Sequence, residues 1–428
     1  MIDRYTRPEM GAIWTKENKY RAWLKVEIAV CDALGKLGVI PDWVAGQVEK
    51  QAKIDVDRIE YIEHNETRHD LIAFVKGVSE HVGEAAKYLH FGVTSYDIED
   101  PATMLLLRES LDLIIGEAKR LEANILRRAK EHKHTLMIGR THGIHAEPIT
   151  LGFKLAVWMT EVQRGIERLQ QAREVISYGK ISGSVGTYAN INPRVEQMVC
   201  QKLDLKPAPV STQILQRDRH AQLLTAMVIL SCSLEKFATE VRNLQRTEIR
   251  EVEEFFHQGQ RGSSSMPHKR NPWVSEQVCG IARVMRGYLV PGLENVTTWH
   301  ERDLSNSSVE RIILPDACCL LHYQLFTFAN IVDKLIVYPE NMRANLDRMG
   351  GLVASQQVMH ALIEKGLTRE EAYKVAQENA MKAWEGGSFR DLLAQDPRVT
   401  DKLTPEELKA CLAPEFHLKN LDVIFDRL

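Results

Sequence analysis

The sequence predicts an all-α fold built around a bundle of unusually long helices. Proline disrupts helix interiors, and none occurs between Pro101 and Pro148, between Pro148 and Pro193, or between Pro209 and Pro267. Strand-like alternation of apolar and polar residues is nearly absent. Within the proline-free stretches, apolar residues recur at three- and four-residue steps: Leu111, Ile114, Ala118, Leu121 and Ile125; Leu151, Leu155, Trp158, Val162, Ile166, Leu169 and Ile176; and Leu223, Met227, Leu230, Leu234, Phe237, Val241 and Leu244.

Breaks in this pattern divide the chain into three regions. Its 428 residues exceed the usual size of a single compact core, so several domains are expected. Residues 1–110 are predicted to form an N-terminal helical domain. Residues 111–365 are predicted to form a central domain of long helices, and residues 366–428 a small C-terminal domain of short helices. Thr368 and Glu371 have the spacing of a capping box, which predicts a helix start at the beginning of the third region.

Composition and charge narrow the possible partners. A net charge of −3 argues against nucleic acid as a partner bound by bulk electrostatics, though a local basic pocket for a phosphorylated molecule remains compatible with it. No uninterrupted apolar run of 18 residues occurs and the start lacks the shape of a signal peptide, so no membrane association is expected. Seven cysteines without a CxxC pair predict reduced thiols and a cytoplasmic location.

The segment GQRGSSSMPHKRNPWVSE, residues 259–276, has the composition of a mobile loop between two helices. A polar linker would account for its glycines and serines. It would not explain why Lys269, Asn271 and Glu276 follow Ser263 so closely. Together they supply a hydroxyl, a cation, an amide and a carboxylate near a helix start, where free backbone N–H groups favour an anion.

A second segment, GRTHGIHAEP, places His142 and His145 three residues apart before a long helix. A structural histidine is one interpretation of either residue. A metal pair is another, although no cysteine or carboxylate stands at ligand spacing. Acid–base catalysis is the third, since histidine titrates near neutral pH. Spacing alone does not decide among these interpretations.

Two further histidines stand near polar residues. His69 lies in TRHD, and His90 begins a stretch that contains Gly92, Thr94 and Ser95. Hydroxyls and backbone amides of this kind can hold oxyanions, whereas Thr and Ser more commonly cap helices. Both interpretations stay open for the Thr–Ser pair.

The stretch WHERDLSNSSVER contains Arg302, Ser307 and Arg311. Arginine binds carboxylates or phosphates with two parallel hydrogen bonds, so these residues are candidates for an anion clamp. A solvated helix face is the alternative. The glycine-rich GKISGSVGTYAN lacks the GK[ST] of a phosphate-binding P-loop, and no catalytic role is assigned to it.

GSSSMPHKRNP resembles the signature loop of the aspartase/fumarase superfamily. Within it, RTHGIHAEP, TRHD, VGTYAN, QRDRHA and WHERDLSNSSVERIILPDA resemble the adenylosuccinate lyase family, and the resemblance runs from IDRYTRPEM to the C-terminus. The nearest competitor is the 3-carboxy-muconate cycloisomerase group, which shares much of the loop. The resemblance implies a three-domain helical homotetramer with a common central bundle and active sites shared between subunits. It also implies a C–N lyase of purine biosynthesis that releases fumarate from adenylosuccinate and from the succinyl-carboxamide ribotide, with no metal and no organic cofactor.

The resemblance also implies roles for individual residues. Ser263 matches the catalytic base and His142 the general acid. Lys269 and Asn271 would hold the succinyl carboxylates, while Glu276 and His69 would orient neighbouring groups. The other substrate-binding positions are Arg4, Tyr5, Arg68, Asp70, His90, Thr94, Ser95, Gln213, Arg302, Ser307 and Arg311. Among these, Arg4, Tyr5, Arg302, Ser307 and Arg311 would bind the nucleotide end, mainly the phosphate.

Two positions depart from the family pattern. Tyr96 stands where a small polar residue is usual, and Pro101 stands where threonine is common. Because Tyr96 is large enough to crowd or stack at the site, the departures bear on fine substrate preference and not on reaction class. An inactive helical oligomer and a metal-dependent hydrolase are the alternatives from other classes.

Overall fold

The computed structural model describes residues 2–257, 259 and 262–428, and these are mostly helical, as predicted. The α-helices are α1 Pro8–Ile13, α2 Lys16–Lys36, α3 Trp43–Gln51, α4 Val56–Ile62, α5 Asp70–Ser79, α6 Ser95–Glu131, α7 Leu151–Ile176, α8 Pro193–Lys202, α9 Asp218–Leu244, α10 Trp273–Glu294, α11 Ser305–Lys334, α12 Pro339–Asp347, α13 Ser355–Glu364, α14 Arg369–Trp384, α15 Phe389–Gln395, α16 Pro397–Thr400, α17 Pro405–Cys411 and α18 Leu421–Phe425. The strands are β1 Leu136–Thr141, β2 Ile144–Thr150, β3 Tyr178–Gly179, β4 Lys206–Pro207, β5 Val252–Glu253 and β6 Ile336–Val337. One π-helical turn covers Glu63–Thr67, and 3₁₀ turns cover Asp3–Tyr5, Gly83–Tyr88, Leu352–Ala354 and Pro414–Leu418.

The long helices follow the apolar pattern. α6 has 37 residues, α7 has 26 and α9 has 27, and every member of the three apolar series lies buried. Proline gaps underestimate helix length, however, because Pro291 and Pro315 lie inside α10 and α11. A proline inside a helix removes one backbone hydrogen bond, and packing of the surrounding helix can offset that loss.

Two helices are long and apolar enough to cross a membrane by composition. In α9, 61% of the apolar window is buried inside the protein, and in α11 the buried share is 72%. Such burial is typical of core helices, which pass the same test of length and composition. We therefore interpret α9 and α11 as core helices.

A β-hairpin that the sequence pattern did not predict precedes α7. β1 and β2 pair antiparallel, with Arg140 opposite His145 and Thr141 opposite Ile144. His142 and Gly143 connect the strands, with φ values of 57° and 81°. Positive φ at both central residues is what a type I′ hairpin turn requires. The hairpin places His142 at an exposed tip.

The chain forms two compact units. Unit 1 comprises Met1–Lys119, Arg164–Glu235 and Val278–Thr327. Its N-terminal part packs around Tyr20, Trp23 and Phe74, whose ring centroids lie 5.5 to 5.9 Å apart. Aromatic contacts of this kind add to the stabilisation from burial.

Unit 2 comprises Arg120–Gln163, Lys236–Gln277 and Phe328–Leu428. Trp158 stacks on Phe237 at 4.9 Å between centroids. The C-terminal helices bury their own apolar cluster, and the predicted capping box of Thr368 and Glu371 starts α14. The division of the chain into regions 1–110, 111–365 and 366–428 stays a prediction.

Candidate active site

The predicted site residues fall into two groups, one in each unit. Unit 1 contains Arg4, Tyr5, Arg68, His69, Asp70, His90, Thr94, Ser95, Gln213, Arg302, Ser307 and Arg311. Unit 2 contains His142, Ser263, Lys269, Asn271 and Glu276. The residues expected to bind the nucleotide thus lie in unit 1, and the expected base and acid lie in unit 2.

In unit 1, five predicted residues form two sets of polar contacts, which we call the phosphate cluster. Arg311 Nη2 lies 2.6 Å from Asp70 Oδ2, and Arg311 Nε donates to Ser307 Oγ at 3.3 Å. Arg302 Nη1 donates to Gln213 Oε1 at 3.0 Å. The Nε of Arg302 is buried without a hydrogen-bond partner. Because a buried donor gains most from a charged acceptor, this cluster is suited to an anionic ligand.

His90 is fixed by a buried carboxylate. Glu27, 1% exposed, accepts from the His90 backbone N–H at 3.1 Å and lies 2.7 Å from His90 Nδ1. Burial lowers the pKa of His90, but the hydrogen bond and charge of Glu27, aided by Asp97 and Glu99, outweigh it and raise the pKa. The sequence did not identify Glu27 as a site residue, although a carboxylate on the apolar face of α2 could have indicated a buried polar contact.

The start of α6 is held by a buried ion pair. The Thr94 backbone N–H donates to Asp97 Oδ2 at 2.8 Å, and Asp97 Oδ1 lies 2.6 Å from Lys180 Nζ, with both side chains fully buried. Lys180 also donates to the Gln213 carbonyl at 2.8 Å. The glycine-rich segment that carries Lys180, to which the sequence assigned no catalytic role, thus holds the backbone at Thr94, through Asp97, and at Gln213.

One chain does not bring Tyr5 to this cluster. Tyr5 packs edge-on against Tyr323, with ring centroids 5.4 Å apart. Tyr323 follows Arg311 by twelve residues on α11, which corresponds to about 18 Å along the helix axis. Tyr5 therefore lies more than a phosphate's width from Ser307 and Arg311 of its own chain.

A cavity of about 300 Å³ adjoins the cluster, and its lining includes Lys19, Tyr96, Glu99, Ser307 and Arg311. Burial, followed by the negative charge of Asp70, raises the pKa of Glu99 to about 7, against opposing contributions from Arg311 and Lys19. Glu99 thus titrates near neutral pH beside a proposed anion-binding arginine.

Replacing Glu99 by glutamine is expected to change how stability depends on pH. Between about pH 4.5 and 7 the folded protein keeps the Glu99 proton that the unfolded chain has lost, so wild-type stability falls across this window and then levels off. The cost at pH 8 is on the order of 3 kcal/mol. We expect Glu99→Gln to gain stability relative to wild type between pH 5 and pH 8, measured by chemical denaturation. The exposed Glu84→Gln is the control, and an equal difference at both pH values would contradict the prediction.

In unit 2, buried contacts fix the hairpin that carries His142. Arg140 on β1 makes a bidentate pair with Glu251, with N–O distances of 2.7 and 3.0 Å. Glu251 is fully buried and also accepts from Asn345 at 2.9 Å. A charge pair of this geometry holds the base of the hairpin, so the exposed tip with His142 has a defined position.

Three of the predicted site residues adopt a left-handed backbone. The φ values are 54° at Arg68, 60° at His90 and 57° at His142. Only a few per cent of non-glycine residues do so, and such strain tends to cluster at functional sites. Outside the predicted site, Tyr188, Asp204, Arg250 and His300 share this conformation, so the strain does not separate a functional interpretation from a structural one.

The Ser263 hydroxyl lies within a tight turn. Its Oγ accepts backbone N–H groups of Ser265 at 3.2 Å and Met266 at 3.1 Å. Asn271 Nδ2 donates to the Gly262 carbonyl at 2.9 Å, and a Cβ on Gly262 would lie 1.9 Å from the Lys269 carbonyl oxygen. Only glycine fits there. Residues 260 and 261 of the predicted loop lie outside the described residues.

The helix start behind the loop is already occupied. Glu254 accepts the backbone N–H groups of Ser275 at 2.6 Å and Val274 at 3.3 Å, and burial raises the pKa of its carboxyl. The expectation that free N–H groups of α10 would hold a ligand anion is therefore wrong for these two amides. Lys269 and Glu276 remain exposed, as the prediction needs for contact with substrate.

The metal-pair interpretation of His142 and His145 lacks further ligands. Across residues 2–257, 259 and 262–428, no group of three or more His, Cys, Asp or Glu side chains is placed to hold a metal ion. Burial and the charges of Arg140 and Arg348 lower the pKa of His145, which favours its neutral form.

Comparison with known proteins extends over the whole chain. Residues 3–287 match a family model described as lyase, and residues 351–428 match one described as adenylosuccinate lyase C-terminus. The adenylosuccinate lyase of Bacillus subtilis strain 168 is 54% identical, with 100% of this chain and 99% of the relative covered. The adenylosuccinate lyase of Synechocystis is 52% identical, with both chains covered completely.

Solved structures show the same architecture. A fumarate lyase from Mesorhizobium sp. BNC1 superposes with a TM-score of 0.92 at 26% identity, covering 100% of this chain and 99% of its own. The 3-carboxy-cis,cis-muconate lactonizing enzyme from Pseudomonas putida gives 0.91 at 30% identity, covering 99% and 96%. The fold is that of the aspartase/fumarase superfamily, and on the full-length matches the chain belongs to the adenylosuccinate lyase family.

Proposed function

We propose that this protein releases fumarate from adenylosuccinate, giving AMP, and from the succinyl-carboxamide ribotide, giving the carboxamide ribotide, in purine biosynthesis. The full-length match at 54% identity to an adenylosuccinate lyase carries the proposal. An active enzyme is favoured over an inactive helical oligomer, because the chain has His142 and the signature-loop residues Ser263, Lys269 and Asn271.

The reaction is a β-elimination. A base removes a proton from the carbon beside one succinyl carboxylate, and the electron pair of that C–H bond forms the double bond of fumarate. The C–N bond breaks, its electron pair goes to nitrogen, and an acid protonates that nitrogen. The chemistry calls for a base, an acid and a clamp for developing negative charge, and no step needs a redox cofactor.

Ser263 is the proposed base and His142 the proposed acid. A serine hydroxyl is a weak base, so its alkoxide must be stabilised by its surroundings. The two backbone N–H groups that point at Ser263 Oγ support this role, and the exposed cation of Lys269 would add to it once the loop closes over substrate.

The remaining residues divide between the two ends of the substrate. Lys269 and Asn271 would hold the succinyl carboxylates, with Glu276 and His69 orienting neighbouring groups. At the phosphate, Arg302 and Arg311 would supply guanidinium donors, and Ser307 would supply a hydroxyl. The other proposed contacts are Arg4, Tyr5, Arg68, Asp70, His90, Thr94, Ser95 and Gln213.

The proposed assembly is a homotetramer whose active sites draw residues from several subunits. Exposed apolar side chains on and beside α10 and α11 support an interface, since Trp299 is 75% exposed and Leu304 is 69% exposed. The separation of Tyr5 from Ser307 and Arg311 within one chain supports a shared site. We place the enzyme in the cytoplasm, in keeping with its free cysteines and with the burial of α9 and α11.

A substrate panel tests the reaction directly. We expect purified enzyme to release fumarate from adenylosuccinate and from the succinyl-carboxamide ribotide. The release is measured by ultraviolet absorbance. 3-Carboxy-cis,cis-muconate belongs in the panel because a lactonising enzyme shares the fold at a TM-score of 0.91. If the enzyme turned over 3-carboxy-cis,cis-muconate but neither succinyl-nucleotide, the lactonising alternative would replace the proposal.

Mixing two inactive variants tests the shared site. If Ser263 and His142 of one site come from different subunits, a mixture of Ser263→Ala and His142→Ala subunits reassembled at random restores both groups in about a quarter of the sites. We therefore expect the mixture, refolded together, to regain about a quarter of wild-type activity. Each variant refolded alone is the control, and a mixture as inactive as its parents would contradict the contribution of Ser263 and His142 by different subunits.

A further inference from the structure

Tyr96 lies beside the proposed phosphate cluster and lines the cavity of about 300 Å³ together with Ser307 and Arg311. It is the second residue of α6 and only 5% exposed. The guanidinium carbon of Arg302 lies 3.7 Å from the centroid of its ring. One side chain thus contacts Arg302 and faces the same cavity as two other residues expected to bind the nucleotide.

Stacking against the ring controls the orientation of Arg302. At 3.7 Å the guanidinium lies within the range of a cation–π contact, which restricts its plane and leaves its N–H edges available. Nη1 is directed to Gln213, while Nε is buried without a partner. An arginine held this way is preorganised to accept an anion without losing further side-chain entropy.

Ser307 and Arg311 form the second half of the cluster. Arg311 Nε donates to Ser307 Oγ at 3.3 Å, and Arg311 is paired with Asp70. The two arginines are held by separate partners. Tyr96 contacts Arg302 and lines the same cavity as Ser307 and Arg311, so it lies beside both parts of the cluster.

We infer that Tyr96 is a positioning residue that sets Arg302, beside Ser307 and Arg311, in the geometry for binding the phosphate of a nucleoside monophosphate. The inference rests on the proposed function for the identity of the full substrate, but the clamp itself requires only a phosphorylated nucleoside. Tyr96 acts through Arg302 and takes no part in proton transfer. A residue that only fills the core would affect all substrates alike.

The test compares a substrate with and without phosphate. For Tyr96→Leu, we expect KM for adenylosuccinate to rise by about tenfold, the loss of one buried cation–π contact, with kcat nearly unchanged. Tyr96→Phe keeps the ring that stacks on Arg302, so we expect its KM to stay near the wild-type value. With succinyladenosine, which lacks the phosphate, both variants should match the wild-type kcat/KM. Tyr61→Leu, which removes an exposed ring 5.3 Å from Arg58, is the matched control and should change neither substrate.

Calorimetric binding of AMP separates this inference from the proposed reaction. Weaker AMP binding by Tyr96→Leu, even if wild type fails to split adenylosuccinate, would keep the phosphate clamp and reject the reaction. Equal loss for both substrates, or unchanged AMP binding, would overturn the positioning role. If circular dichroism shows that the leucine variant is unfolded, Tyr96→Met takes its place, because it fills the buried position without a ring.

Discussion

Ser263→Ala is expected to reduce kcat by ~10⁴-fold or more, because it removes the proposed base for taking the proton from carbon. The hydroxyl accepts two backbone N–H groups, and these donors would stabilise an alkoxide at this oxygen. Alanine leaves the two donors without that acceptor, but the loop is exposed and water can replace it. The free energy of unfolding should therefore change little.

The neighbouring serine provides the control for this experiment. Ser264 is exposed in the same turn, so Ser264→Ala makes an equivalent change without removing the proposed base. We expect Ser264→Ala to keep most of the wild-type kcat for fumarate release. Near-normal turnover by Ser263→Ala, at unchanged secondary structure, would show that another group removes the proton.

The long helices could be predicted because their signal is local. Every residue of the series from Leu151 to Ile176 lies buried, as its three- and four-residue spacing indicates. The β1–β2 hairpin could not be predicted in the same way. Its strands carry a register irregularity between Ile138 and Arg140, Pro148 interrupts β2, and the turn is His–Gly where Asn–Gly is the usual signal.

Motifs in the sequence identified candidate site residues, but not the residues that hold them in place. Glu27 lies 63 residues from His90 along the chain, and Lys180 lies 83 residues from Asp97. Contacts over such separations depend on tertiary packing, which one sequence does not specify. Glu254 is an example. Its carboxylate accepts a backbone N–H group at the helix start that the sequence had suggested for a ligand anion.

Replacing His142 by asparagine is expected to lower kcat by ~10²–10⁴-fold, the usual contribution of a general acid. Asparagine suits this position because it tolerates the left-handed φ of 57° that the hairpin turn imposes. Loss of activity in His142→Asn therefore cannot be attributed to collapse of the turn. His142→Ala should be at least as inactive, with some loss of stability from the strained backbone.

Chemical rescue distinguishes an acid from a structural residue at the hairpin tip. If His142 delivers the proton to the leaving nitrogen, added imidazole should restore part of the fumarate release in His142→Ala, because the side chain is exposed and its removal leaves access for a small acid. Ile144→Ala, at a 54% exposed position beside the turn, should neither lose most activity nor respond to imidazole. Near-normal turnover by His142→Asn would assign protonation of the nitrogen to another group. A loss that imidazole leaves unchanged in the alanine variant would favour a role in orienting substrate, since orientation depends on the tethered side chain and proton delivery does not.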